Sequence, residues 1–366
     1  MDTHHVFYHD DIDGIISASL YLHYNKNMQS RLYPVTSIMR GEKFDSFFNQ
    51  IIKGKDGKKI ILDYQYNKQA DLWIDHHFNP EFGECIIDND KMLYDNKSES
   101  AASLVYDRFT SKNIEDETVL MEKLLNYVDI IDSCSYTSVR QVFKDYEAIM
   151  ILRAYLEMTN PNDMTLCRIV EMISDSRMDV DNAIYRLRIN SYYIKELEKS
   201  ALKIKNSAIL AKKIAITYER RVKQFPRYSE FLVFPEIKYN IRIINIGNGN
   251  IKFQLGYNPW HTEKNAFNLG KISKFNYVIN SGGHFNVGAG IIKESDVERF
   301  VDDISQILNE EDDTMEKYAV DKEDAVEKTA EDLVKTGQAN NITEARKLAV
   351  NKKPEASEEI NEPRTA

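Results

Sequence analysis

Cysteine is scarce in this 366-residue chain: Cys85, Cys134 and Cys167 are the whole set, and no two are close enough for a Cys-x-x-Cys site. An odd, sparse set argues against a disulfide framework and suits free thiols in a reducing compartment. Long apolar runs are missing too. No stretch approaches the ~18 residues that a membrane span needs. Met1-Asp2-Thr3-His4-His5 lacks the charged-then-apolar profile of a secretory leader. The expectation is a soluble, cytoplasmic protein that engages no membrane. There is also no broad excess of positive charge. The formal charge is −10, and residues 310–366 hold 16 acids against 9 bases, so −7 lies there and only −3 in the body. A nearly neutral body argues against tracking long nucleic acid by counterion release, which needs an extended basic surface. It leaves room for a short anionic substrate held at one cationic site. Finally, no Gly-x-Gly-x-x-Gly occurs, which disfavours a dinucleotide fold.

What is present is ample apolar material, 42% of residues with 2 Trp, 21 Tyr and 16 Phe. At roughly 100–200 residues per domain, the length suggests two domains plus extras. Leu72-Trp73-Ile74-Asp75-His76-His77 is the stretch around which the chain is arranged. An apolar run reads as a parallel strand buried on both faces, and it ends in an acid and two histidines. In open α/β sheets, ligands collect at such carboxyl ends.

Two further strand ends carry similar residues. Val6-Phe7-Tyr8 runs into His9-Asp10-Asp11-Ile12-Asp13-Gly14, followed by an apolar helix from Ile15. Capping and the helix macrodipole account for some acid at a helix start. Three acids and a His within five residues exceed that need and repel one another unless a cation sits among them. Lys59-Ile60-Ile61-Leu62-Asp63 is a third apolar strand ending in an acid. Tyr33-Pro34-Val35-Thr36 predicts another strand, and residues 43–52 a helix whose Phe44, Phe47, Phe48 and Ile51 form a core stripe. The alternation predicts an α/β domain with a parallel, doubly wound sheet. Later, Asp129 and Asp132 each close an otherwise apolar helical run, where an acid is costly unless partnered.

The expected division is 1–180 for the first domain, 181–212 for a helical linker, 213–310 for a smaller α+β domain and 311–366 for an acidic, largely disordered tail. The linker reads as one long charged helix over 181–210. In the second domain, 213–217, 231–234, 241–245 and 252–256 read as strands. A glycine turn follows at Ser281-Gly282-Gly283-His284, and a last helix covers 296–308. In the tail, 325–334 and 343–350 could form short helices, but they offer too little apolar area for a core. No internal repeat is evident. His4, His5, His23 and His261 fit no motif, and Asn258-Pro259-Trp260 reads as a turn in which Trp260 could stack a base.

Mixed His and carboxylate donors suit Mn²⁺ or related hard divalent ions over thiolate-seeking ones. The acids suffice for two ions, and a pair about 3.5–4 Å apart is the usual device for splitting phosphate esters. With these residues together, the chain resembles the DHH phosphoesterase superfamily with a C-terminal DHHA1 domain. That group includes RecJ-type single-strand exonucleases, oligoribonucleases that also cleave pApA-like dinucleotides and, more distantly, the family II pyrophosphatases. The resemblance spans residues 1 to about 308.

The resemblance implies that His9, Asp11, Asp13, Asp63, His76 and either Asp129 or Asp132 are metal ligands, with Asp63 as the bridge. It implies that His77 contacts the scissile phosphate and that Asp75 orients its neighbours. It implies that Gly282, Gly283 and His284 hold the far end of the substrate. Many members place the first His four residues before the first Asp, whereas His9 stands two before Asp11, which leaves its coordination open. The implied function is a two-ion phosphodiesterase using Mn²⁺, with Mg²⁺ or Co²⁺ as substitutes, that trims short oligonucleotides or linear dinucleotides to mononucleotides. The absence of an added β-barrel module and the near-neutral body favour short substrates. Two alternatives stand beside it. One is a phosphatase acting on pyrophosphate, polyphosphate or nucleotide monoesters, for which Arg242 and Lys252 are the candidate phosphate cations. The other is a non-catalytic nucleotide-binding protein. A homodimer and a partner for the tail are compatible with the sequence.

Overall fold

The computed structural model describes residues 3–36, 39–77, 79, 81–110, 118–220, 225–265, 267–272 and 275–309. Strand β1 (Thr3–His9) shows how the first sheet is covered. Its Val6 and Tyr8 face one core while Phe7 between them faces another, the alternation that a pleated strand imposes. Helix α1 (Ile12–Tyr24) covers the first face, and α2 (Glu42–Ile52) covers the second with Phe44 and Phe48. Between them runs β2 (Gln29–Val35), and then β3 (Lys58–Leu62) and β4 (Leu72–Asp75). A short β5 (Ile87–Asp88) and β6 (Met92–Tyr94) complete the sheet in the order β2-β1-β3-β4-β6-β5. All pairings are parallel except the edge strand β5. The doubly wound α/β reading therefore matches, with β5 and β6 unanticipated. The chain leaves β1 toward β2 and leaves β3 toward β4, so the topological switch point falls between β1 and β3.

Among the described residues, seven helices follow α2 before the second sheet. They are α3 (Ala101–Thr110), α4 (Thr118–Asp132), α5 (Val139–Lys144), α6 (Ala148–Thr159), α7 (Asp163–Asp175), α8 (Val180–Arg186) and α9 (Tyr192–Leu202). The single linker helix expected over 181–210 is not formed. Helix α8 ends in a turn where Arg188 N–H donates to Tyr185 O and Ile189 N–H to Ile184 O, with Arg188 left-handed at φ 59°. That double bond pattern terminates a helix, and the apolar spacing does not reveal it because Ile189 closes back onto the core. Ile184, Ile194 and Leu197 lie in the same core as α1, so both helices belong to the first domain's packing.

The second sheet has the order β11-β12-β10-β9-β8-β7. Its strands are β7 (Ala208–Ala211), β8 (Ile214–Glu219), β9 (Tyr239–Gly247), β10 (Asn250–Tyr257), β11 (Asn280–His284) and β12 (Val287–Lys293). Only β8–β9 is parallel. The strand expected at 231–234 is instead the end of helix α10 (Ser229–Val233), since a short apolar run does not by itself separate a buried strand from a buried helix turn. Helix α11 (Leu269–Ile272) crosses the β11–β12 hairpin, and α12 (Val297–Asn309) packs Phe300 and Ile304 into the sheet's core. Trp260 joins the domains. Its Nε1 donates to Tyr136 O at 2.8 Å, and its ring lies 5.6 Å from Tyr228 and 6.5 Å from Phe231. The expected acidic tail and its two short helices lie outside the described residues.

Candidate metal centre

The acidic turn after β1 is shaped by Gly14. A Cβ there would come 2.2 Å from His9 O, so only glycine lets the first turn of α1 sit directly on the strand end. Asp11 caps α1 by accepting from Gly14 N–H at 3.1 Å, and its other oxygen faces His9 Nδ1 at 2.9 Å. Capping thus explains part of the acid here, as macrodipole arguments anticipate. Asp13 does something different. It accepts from Ala101 and Ala102 N–H, both at 2.7 Å, which are the first amides of α3. It is buried, and one oxygen stands 3.5 Å from His76 Nε2.

Asp63 follows β3 with its backbone left-handed at φ 53° and its side chain buried. One carboxylate oxygen lies 3.6 Å from His9 Nδ1, and the other lies 3.4 Å from His77 Nδ1 and 3.9 Å from His76 Nε2. After β4, Asp75 Oδ1 accepts from His76 N–H, His77 N–H and His77 Nδ1 at 2.9, 3.2 and 2.9 Å. His76 Nδ1 meets Ser98 O at 3.0 Å. As a donor there, it turns Nε2 toward the carboxylates with its lone pair free. His77 is one-third exposed, the open side of the group.

The two acids on α4 meet different partners. Asp132 reaches His76 Nε2 at 3.1 Å, whereas Asp129 accepts the hydroxyls of Ser100 and Ser103. Three overlapping donor sets result: His9–Asp11–Asp63, Asp63–His76–His77 and Asp13–His76–Asp132, each with its ligand atoms within 4.8 Å of one another. Asp63 and His76 each belong to two of them.

Both oxygens of Asp63 are buried and make no hydrogen bond, and the buried Nδ1 of His9 and Nε2 of His76 face carboxylates. Buried polar atoms are ordinarily satisfied, so an unsatisfied carboxylate at the meeting point of these donors fits a divalent cation. The electrostatics agree. Burial, then the Asp13, Asp11 and Asp132 charges, push the Asp63 carboxyl well up. Burial and Asp132 raise Asp13 to about 7. Burial alone would lower His76, but its hydrogen bond to Asp132 and the charges of Asp13 and Asp132 hold it up at about 11. Desolvation would raise Asp11, but His9 and the Gly14 amide outweigh it and its carboxyl lies below the usual range. Without cations the cluster must keep protons that divalent ions would replace, and its N/O donor set suits hard or borderline divalent ions.

Sequence reasoning missed Arg40 and Arg227. The positive charge of Arg40 opposes protonation of His9, and that of Arg227 helps hold Asp11 low. Neither sits in a recognisable pattern. Arg242, expected as a phosphate cation, is instead buried and spent on Glu230 and on the carbonyls of Phe225 and Pro226. Trp260, whose indole is turned to Tyr136, is a domain contact. Gly282 and Gly283 lie on β11, the edge strand of the second sheet, and His284 ends it with its side chain outside the described residues. Gly283 has φ 148°, and a Cβ on it would come 2.1 Å from Val287 O, so backbone geometry alone requires this glycine. The main neighbours of β11 are β12 and α11, both elements of the second domain.

Comparison of the fold with solved structures finds a pGpG-specific phosphodiesterase, PggH, from Vibrio cholerae. The TM-score is 0.59 at 17% identity, over 84% of this chain and 99% of that one. The two chains share a fold, as the resemblance to the DHH/DHHA1 group implies. A RecJ from Thermus thermophilus in complex with Mn²⁺ is also found, at TM-score 0.49 and 10% identity over 83% of this chain and 52% of that one. No family model matches the sequence, and no curated protein sequence matches it. Among the described residues no helix is long and apolar enough to cross a membrane.

Proposed function

We propose that this protein is a metal-dependent phosphodiesterase that hydrolyses linear dinucleotides or short oligonucleotides to mononucleotides. The observation that carries the reading is the convergence of His9, Asp11, Asp13, Asp63, His76 and Asp132 on one place beyond the carboxyl ends of β1, β3 and β4, around the buried and unsatisfied Asp63 carboxylate. These residues would hold two divalent ions, Mn²⁺ in the first instance, with Asp63 shared between them. When bound, such ions supply positive charge to the phosphoryl oxygens and make water acidic enough to attack at neutral pH.

The chain's own groups do the rest. Asp75 fixes the turn after β4 and sets the His77 ring through three hydrogen bonds. His77, partly exposed beside Asp63, meets the scissile phosphate. Arg40 and Arg227 bring positive charge to the His9–Asp11 side, where the incoming anion is drawn in. The edge strand with Gly282, Gly283 and His284 holds the distal nucleotide, glycine amides being able to approach an anion closely. The Vibrio cholerae protein of similar fold is described as specific for pGpG, which supports a short substrate.

The test is a panel of pGpG, pApA, oligonucleotides of increasing length, pyrophosphate and a nucleotide monoester, incubated with the purified protein and Mn²⁺. Mononucleotide release from the first group, abolished in His76→Ala, is the expected result. Phosphate release from pyrophosphate alone, or turnover that survives His76→Ala, would overturn it.

A further inference from the structure

Away from the metal centre, a cavity of about 540 Å³ opens between α7, α8 and the start of α9. Three arginines line it: Arg168 from α7, Arg186 from the last turn of α8 and Arg188 from the turn that follows. No acidic residue lines it. Among the described residues, the arginines that pair with carboxylates are Arg108, Arg153, Arg242 and Arg299. The cavity arginines are not among them, and Arg186 makes only a long contact with Ser176 Oγ at 3.4 Å. Three exposed guanidinium groups gathered without a counter-charge, in a body of net charge −3, form a local positive potential that attracts an anion.

The backbone gives a second, independent observation. Arg188 occupies the left-handed position just past α8, at φ 59°, where glycine is the ordinary residue because it has no Cβ to strain. A long cationic residue stands where the backbone favours glycine, and it lines the cavity. The remaining wall is aromatic: Tyr155 and Tyr193 line the cavity with their rings edge to face at 4.9 Å. Thr165 stands one turn from Arg168 on α7 and adds a hydroxyl.

We propose that this cavity is a second ligand site that binds a nucleotide, with Arg168, Arg186 and Arg188 holding its phosphate and Tyr155 and Tyr193 flanking its base. Guanidinium forks match phosphate oxygens two at a time, and a volume near 540 Å³ suits a small ligand of nucleotide size. The site shares no residue with the metal centre. Because α7 also touches β1 through Cys167, whose Sγ meets Tyr8 Oη next to His9, occupancy adjoins the strand that carries the catalytic turn.

The experiment uses the full chain in EDTA, so that nothing is turned over, and titrates GMP, AMP and inorganic phosphate by calorimetry. Expected is saturable mononucleotide binding that weakens with salt, is unchanged in Asp63→Asn, and falls at least tenfold in Arg168→Ala and in Arg188→Gly. Arg188→Gly keeps the proposal falsifiable, because glycine relieves the left-handed backbone and the melting temperature should hold or rise while binding is lost. Binding that survives Arg188→Gly and Arg168→Ala, or that disappears in Asp63→Asn, would overturn the site. Inorganic phosphate binding as tightly as GMP and AMP would overturn its assignment to a nucleotide.

Discussion

Replacing Asp63 with Asn should stabilise the metal-free protein while destroying its response to metal. The scale follows from Asp13, its neighbour in the cluster, whose carboxyl is raised from 3.8 to about 7 by burial and Asp132. At ~1.4 kcal/mol per tenfold change in proton affinity, that carboxyl costs the native state about 4 kcal/mol at neutral pH. The sign is set by proton counting. Between pH 4 and 7 the native carboxyl keeps a proton that the unfolded chain has lost, so stability falls as pH rises through that window.

Asp63 is displaced in the same direction, with neither oxygen hydrogen-bonded. An Asn there removes a charge and breaks no existing hydrogen bond. It also tolerates the left-handed φ of 53° as well as Asp does. Asp13→Asn lacks that advantage, since both Asp13 oxygens accept backbone amides. We expect Asp63→Asn to gain roughly 1–3 kcal/mol at pH 7, about 2–8 °C in melting temperature in EDTA. The gain should shrink steeply toward pH 4 and vanish below about pH 3, where the carboxyl is neutral in both states. Wild-type protein should gain ~2.7 kcal/mol at a metal concentration of 100 Kd, and the variant should gain nothing. Scanning calorimetry with EDTA and with Mn²⁺, at pH 4 and 7, decides it. A lower melting temperature for Asp63→Asn in EDTA at pH 7, or a surviving Mn²⁺ shift, would refute the reasoning.

Binding of Mn²⁺ should release protons and tighten from pH 6 to pH 8, because Asp13 titrates near 7 and His76 near 11 in the empty cluster; calorimetry in buffers of different ionisation heat measures this, and pH-independent affinity would contradict it. Asp132→Asn should weaken Mn²⁺ binding at least ~10-fold, whereas Asp129→Asn should leave it nearly unchanged and cost about 1–2 kcal/mol through the Ser100 and Ser103 hydrogen bonds. Trp260→Phe keeps the apolar contact with Tyr228 but leaves Tyr136 O without its donor, so it should cost ~1 kcal/mol in unfolding experiments and leave turnover intact.

The parts of the fold that could be read in advance are those where one periodicity has a single solution. Apolar runs ending in Asp63 and Asp75 read as strands because each sits in an alternating β/α pattern and runs straight into an acid, and β3 and β4 bear that out. Phe231 to Phe234 offered the same apolar density with no such discriminator and folded as α10. The end of α8 was hidden because its terminating residue is Arg188, where a glycine would have announced the turn. Asp129 and Asp132 are one helical turn apart and share a face, so no pattern could rank them; only the packing of Ser100 and Ser103 against the first of them does. Arg40 and Arg227 gave no signal, because isolated exposed cations are the commonest residues on any surface.

The metal centre stood out in the sequence for the reason that makes it unstable when empty. Local rules put apolar or capping residues at strand ends, and a chain optimised only for stability would not bring Asp11, Asp13, Asp63 and Asp132 to one rim. Asp11 alone satisfies a cap; Asp63 satisfies nothing in the protein itself. A residue that breaks local consistency with no structural return points to something outside the chain. At Arg188 the two features coincide, an Arg in glycine's place and a cavity lined by arginines without counter-charge. Both sites are thus positions where folding stability is given up, one to buried negative charge and the other to backbone strain, and in each the sign of the uncompensated charge states what the ligand must be.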